Sequence, residues 1–264
     1  MIFYVRKLRQ AGYDTEDMKT EWDYSNLASS YVDRVDYTTS AVKRILMKVN
    51  SNPKICDIGA GVGHLTKLLA PSALSIDAIE PNNNMRDIGS KKHINLSNVT
   101  WHEGIAEATT MNSDEYDLVT FGSSFNVCDQ MLALKESSRI LKTHGYFACM
   151  WNLRDLDDPL QIEIEKIIKS FIPQYSYGTR RQDQSKIINE SRLFSNLESF
   201  QEKTIHKVSS QQFINAWSSH ATLARQSGND FNKIINDIVK IIRELDVTHL
   251  KIPYTTVVFM AQKL

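Results

Sequence analysis

Residues 55–66 read Ile55-Cys56-Asp57-Ile58-Gly59-Ala60-Gly61-Val62-Gly63-His64-Leu65-Thr66, with three glycines at alternate positions. The apolar run before them predicts a buried strand, and the residues after them predict a helix. Glycine permits a tight turn and leaves no side chain between backbone and ligand. The start of a following helix offers N–H groups without intrahelical partners and a partial positive charge, which suits a carboxylate or phosphate. Glu80 closes the next predicted strand, 19 residues after Gly61, where a carboxylate can accept both hydrogens of a ribose diol. A glycine turn alone also serves as a plain structural turn; loop and acid together imply a nucleoside ligand.

Working outward, short apolar runs at 54–59, 75–80, 99–102, 116–122 and 146–151 alternate with helical stretches ending at Leu69, near Met85 and over 132–142. Runs without polar alternation fit parallel strands covered on both faces, so the rhythm predicts a doubly wound α/β sheet. The rhythm changes after Trp151. A helix over 160–172 ends at Pro173, a polar and aromatic loop spans 175–184, and Ser209 caps a helix over 209–224. Phe231, Ile234, Ile235, Ile238, Ile241, Ile242 and Leu245 then form one apolar stripe. Late strands over 202–208 and 255–262 flank this helical insertion. The expected division is an N-terminal helical lid (1–49), a cofactor-binding core (50–152), and a helical cap with strands completing the sheet (153–264).

The dinucleotide fingerprint requires glycine at position 64 after Gly59 and Gly61, but His64 stands there. Asp57 lies two residues before the first glycine, where its charge opposes a pyrophosphate and favours an ammonium. The 264 residues carry 31 Lys+Arg against 31 Asp+Glu, which weighs against a nucleic-acid surface and toward a small-molecule substrate. The three cysteines, Cys56, Cys128 and Cys149, lack metal or disulfide spacing and read as packing residues. The start MIFYVRKLRQAG has no apolar core of signal-peptide length, and no run approaches the roughly 20 residues that cross a bilayer. A cytoplasmic setting, no membrane and no metal are therefore expected; the oligomeric state is left open.

These residues resemble the class I S-adenosylmethionine-dependent methyltransferases, in particular the small-molecule group labelled type 11 or type 25, over roughly residues 22–152. The resemblance implies a Rossmann-like seven-stranded sheet ending in an antiparallel hairpin, with S-adenosylmethionine as cofactor. It also implies that Asp57, Gly59, Ala60 and Gly61 hold the methionine end and that Glu80 binds the ribose. Pro81 and Met85 belong to the segment after the acid, with Met85 near the adenine. Gly104, Ile105 and Ala106 edge that base, Ser123 opens toward the cofactor after strand four, and Tyr31, like Tyr24, supplies an aromatic lid or else packs in the core. Leu141-Lys142-Thr143-His144-Gly145 replaces the usual Leu-Lys-Pro-Gly-Gly turn, and Trp151-Asn152-Leu153-Arg154-Asp155 resembles a stretch of one subgroup.

The sulfonium cofactor already activates its methyl group, so transfer to a small molecule, at oxygen before nitrogen or carbon, depends mostly on positioning. Candidate bases are Asp129 and His220, followed by His102 and His144, each of which also suits a structural role. Arg154, Tyr175, Tyr177, Arg180 and Arg181 offer an anion-binding edge on the cap, or a solvated loop. After strand four, Gly122-Ser123-Ser124-Phe125 stands where nucleic-acid amino-methyltransferases carry Asn/Asp-Pro-Pro-Tyr/Phe. An NAD-dependent oxidoreductase and a non-catalytic cofactor-binding module are the competing readings.

Overall fold

The computed structural model of the chain describes residues 34–264; Tyr24 and Tyr31 lie outside them. Helix α1 (Thr39–Leu46) is capped by the Thr38 side chain, which accepts from the Ala41 N–H. There follow β1 (Lys54–Ile58), α2 (Thr66–Leu69), β2 (Ser75–Ile79), α3 (Asn83–Lys92), β3 (Val99–His102), β4 (Tyr116–Gly122), α4 (Gln130–Ile140) and β5 (Leu141–Arg154). The remaining helices are α5 (Pro159–Phe171), α6 (Ser185–Ser191), α7 (Ser210–Ser218), α8 (Ala221–Ser227) and α9 (Phe231–Glu244), with β6 (Phe194–Ser209) and β7 (His249–Lys263) between and after them; α6 packs its Ile188 into the sheet core, whereas α5, α7, α8 and α9 form a separate apolar cluster.

The seven strands form one sheet in the order β3-β2-β1-β4-β5-β7-β6, parallel through β5 and antiparallel across β5–β7 and β7–β6. This is the expected Rossmann-like doubly wound sheet with its antiparallel pair. Alternate residues of a strand enter opposite faces. Cys56, Phe121, Phe147, Cys149 and Trp151 pack on one side, and Ile55, Leu118, Ala148 and Met150 pack with Ile45 and Leu69 on the other. Cys128 is half-buried and packs against the first of these layers.

Several boundaries differ from the sequence reading; the helix expected over 209–224, for one, is broken after Ser218 and resumes at Ala221. The helix expected over 132–142 ends at Ile140, because the fully buried Leu141 begins β5 and pairs with Tyr116. The helix expected directly after the glycines is a single turn at Thr66–Leu69, since Gly61 and Gly63 are both left-handed, at φ 59° and 88°. The late strands run to 16 and 15 residues. Their sheet ends complete the core, whereas Val208, Leu250, Ile252 and Tyr254 at the other ends carry the cap. There they meet Ile234, Ile238 and Ile242 of the apolar stripe, while Leu245 lies past the end of α9 and is exposed.

Candidate functional site

Strand β1 pairs with β2 on one side and β4 on the other, so the chain winds away in opposite directions from its C-terminal end. A crevice at such a switch point is where open α/β sheets bind ligands. The glycine loop lies there. Gly59 and Ala60 donate to the Ile79 carbonyl at 2.8 and 3.0 Å, drawing the loop across the end of β2. Gly59 is left-handed at φ 67°, and an added Cβ would stand 2.4 Å from Ser124 Cβ, so both conformation and space require glycine. Gly61 is different. The nearest atom to an added Cβ is Met85 Sδ at 3.9 Å, which leaves the backbone open to approach.

Glu80 joins the two halves of the sequence signal. Its Oε2 accepts from the Gly61 N–H at 2.8 Å and its Oε1 from the Asn82 N–H at 2.8 Å. Only 5% of the residue is exposed, and burial raises its carboxyl, opposed by those two N–H groups and by Arg86. Each oxygen keeps a lone pair beyond the bond it accepts, so the carboxylate retains capacity for hydroxyl donors.

Asp57 is fully buried, and its oxygens accept from Thr66 Oγ1 at 2.6 Å and Thr120 Oγ1 at 2.8 Å. Burial raises its carboxyl to about 6 against these hydroxyls. The open charge expected from the sequence is thus turned inward, where it ties the loop to β4. Met85 is buried against Val62 beside the glycines. Gly104 is a packing glycine, since an added Cβ would meet Ile79 Cγ2 at 2.7 Å. Ile105 and Ala106 follow it half-buried, and Pro81 is exposed.

At the end of β4, Ser123 is left-handed at φ 60° and its Oγ lies 2.9 Å from the Tyr37 hydroxyl. Sequence reasoning missed Tyr37. It is buried beside Gly122, and burial pushes its hydroxyl well above the usual tyrosine range. The segment carrying Tyr37 is fixed by residues distant in sequence. Asn152 Nδ2 donates to the carbonyls of Val35 and Asp36 at 3.0 and 2.8 Å, and the Thr38 N–H donates to Thr256 Oγ1 at 3.1 Å. His64, the residue that breaks the dinucleotide spacing, has its Nδ1 2.7 Å from Asp36 Oδ1, while Lys67 Nζ donates to Oδ2 at 2.6 Å. Burial works to raise Asp36, but these two partners outweigh it and hold its carboxyl at about 2.

The candidate bases are engaged otherwise. Asp129 caps α4, its Oδ1 accepting from the Leu132 N–H at 3.0 Å. His220 caps α8 by accepting from the Leu223 N–H at 3.2 Å and stacks on Trp217. Burial, then the charges of Arg154, Arg34 and Arg180, hold its imidazole well below the usual range, so it is neutral. His102 Nε2 lies 2.7 Å from Asp77 Oδ1, and His144 sits left-handed at φ 63° early in β5, its carbonyl accepting from Gln262. No group of three or more His, Cys, Asp or Glu positioned to hold a metal exists among the described residues, nor any helix long and apolar enough to cross a membrane.

A family model described as a methyltransferase domain matches residues 56–149. An uncharacterized methyltransferase of Schizosaccharomyces pombe is 25% identical over 231 residues, spanning 81% of this chain and 85% of that protein. The demethylmenaquinone methyltransferase of Staphylococcus carnosus is 28% identical over 140 residues, and the match spans about half of each chain, 51% here and 57% there. Among solved structures, a protein assigned as a type II methyltransferase from Anaeromyxobacter dehalogenans superposes with a TM-score of 0.66 at 15% identity, covering 87% of this chain and 97% of its own. Phosphoethanolamine N-methyltransferase 2 of Haemonchus contortus, solved with S-adenosyl-L-methionine, gives 0.54 at 13% identity, covering 95% and 59%.

Proposed function

We propose that this chain, a class I S-adenosylmethionine-dependent methyltransferase, transfers the methyl group to an oxygen of a small-molecule acceptor in a cytoplasmic setting. The observation that carries the reading is the Glu80–Gly61 bond, which joins the ribose-binding acid to the open backbone of the glycine loop. Glu80 accepts the ribose hydroxyls, the 59–61 backbone takes the methionine end, and Met85 with Gly104, Ile105 and Ala106 borders the base. Tyr31 contributes the lid, residues 50–152 act as the cofactor core, and 153–264 supply the helical cap and the strands that complete the sheet. The cofactor supplies a methyl group activated on a sulfonium.

Tyr37 and Ser123 fix the backbone at the end of β4, where the acceptor must approach. Asp129 and His220 are occupied as helix caps, which supports an oxygen nucleophile that needs little help in losing a proton. Full-length protein incubated with radiolabelled S-adenosylmethionine and a panel of hydroxy and carboxylic acids, amines and quinones should label an oxygen acid first. Labelling confined to amines or ring carbons contradicts oxygen transfer, and failure of calorimetry to detect S-adenosylhomocysteine overturns the cofactor site.

A further inference from the structure

The loop at 175–184 returns from the cap onto the strand ends of the site. Thr179 Oγ1 donates to the Asn126 carbonyl at 3.4 Å, just past Ser123, and Arg180 donates to the Asn152 carbonyl at 3.2 Å. Arg181 donates to the Arg154 carbonyl at 2.7 Å, which brings two guanidinium-bearing residues together at the end of β5. Neither Arg154 nor Arg181 has a carboxylate partner among the described residues. Arg154 is held by the Tyr254 hydroxyl at 3.1 Å and lies 4.0 Å from the Trp217 ring centroid, and Arg181 lies 4.9 Å from that of Tyr177. Beside them, Trp217 Nε1 and Tyr175 Oη are buried donors with no hydrogen-bond partner among the described residues. Asp155 and Glu165 act on Arg181 only through space, without an ion pair to it. Buried donors are normally satisfied, so a pair left open beside two guanidinium groups that no carboxylate bonds indicates that a polar, negatively charged partner completes the place.

We propose that the methyl acceptor is an oxyanion-bearing small molecule whose carboxylate or phosphoryl group is held by Arg154 and Arg181, with Trp217 and Tyr175 as neutral donors. Guanidinium suits this task because its planar fork matches a carboxylate or phosphate. The neutral imidazole of His220, depressed by burial and by Arg154, Arg34 and Arg180, agrees with a positive potential at the junction. The assignment rests on the methyltransferase reading and specifies its substrate class.

The test is calorimetry on the full chain, first with S-adenosylhomocysteine and then, with that ligand bound, using succinate, phenyl phosphate and the uncharged succinamide. One anion should bind at least about tenfold tighter than succinamide, its affinity should fall with added salt, and the tighter of the two identifies the acceptor group. Arg154→Gln should lose about tenfold in that affinity while binding S-adenosylhomocysteine within twofold of the parent, and Arg154→Lys should retain more. Equal binding of succinate and succinamide, binding of neither anion, or an unchanged Arg154→Gln overturns the assignment. Loss of S-adenosylhomocysteine binding in the parent chain sinks the cofactor reading instead, so the two failures are separable.

Discussion

Two carboxylates near the glycine loop do different work because their surroundings differ. Glu80 is held by two backbone N–H groups and is the ribose acceptor in the proposed function, so Glu80→Gln removes a charge-assisted acceptor. The expected result is S-adenosylhomocysteine binding weaker by about ten- to a hundredfold in calorimetry. Asp57 is enclosed by Thr66 and Thr120, and its carboxyl is raised from 3.8 to about 6. A raised folded-state value means that the proton stabilises the fold. Its contribution is present below about pH 4 and is lost as pH rises through about 6, roughly 3 kcal/mol in all. Denaturation of parent and Asp57→Asn between pH 4 and 7 should show that fall in the parent and not in the variant; parallel profiles contradict it. The residue types of loop and acid were legible in the sequence, but not which oxygen met which hydroxyl, because Asp57 and Thr120 approach only when β1 and β4 pair.

At the scale of elements, the site depends on a segment that no local pattern marked. Residues 35–38 are held by Asn152 on β5, by Thr256 on β7 and by His64 after the glycine loop. Asn152 also accepts from Thr256 Oγ1 at 2.6 Å, so one amide links both strands to this segment. Asn152→Ala should cost about 1–3 kcal/mol in chemical denaturation and release amide exchange at residues 35–38 before the sheet itself opens. Unchanged exchange there would show that His64 and Lys67 suffice. The motif around Trp151 and Asn152 was visible as a pattern, but the role of Asn152 was not, since its side-chain partners lie more than 100 residues away. The shortened helix after the glycines escaped the sequence reading for a related reason: two successive left-handed glycines consume residues that periodicity assigns to helix.

For the whole molecule, ligand binding to the folded chain alone raises its stability by mass action. S-adenosylhomocysteine at about a hundred times its dissociation constant should add about 2.7 kcal/mol, roughly 5–10 °C in melting temperature for a chain of this size. NAD at the same concentration should add nothing, since His64 occupies the position of the third dinucleotide glycine and is tied to Asp36. An NAD-induced shift of the same size would reinstate the oxidoreductase reading. The sequence by itself determined the α/β sheet, the loop–acid pair and the cap stripe, because strand burial, glycine spacing and helical periodicity are local properties of the chain. Only the tertiary structure decided that Tyr37 joins Ser123, that Asp57 turns inward, that His220 serves as a cap, and that Arg181 reaches the Arg154 carbonyl. Those facts depend on contacts between residues distant along the chain, whose geometry is set by sheet pairing and cap docking.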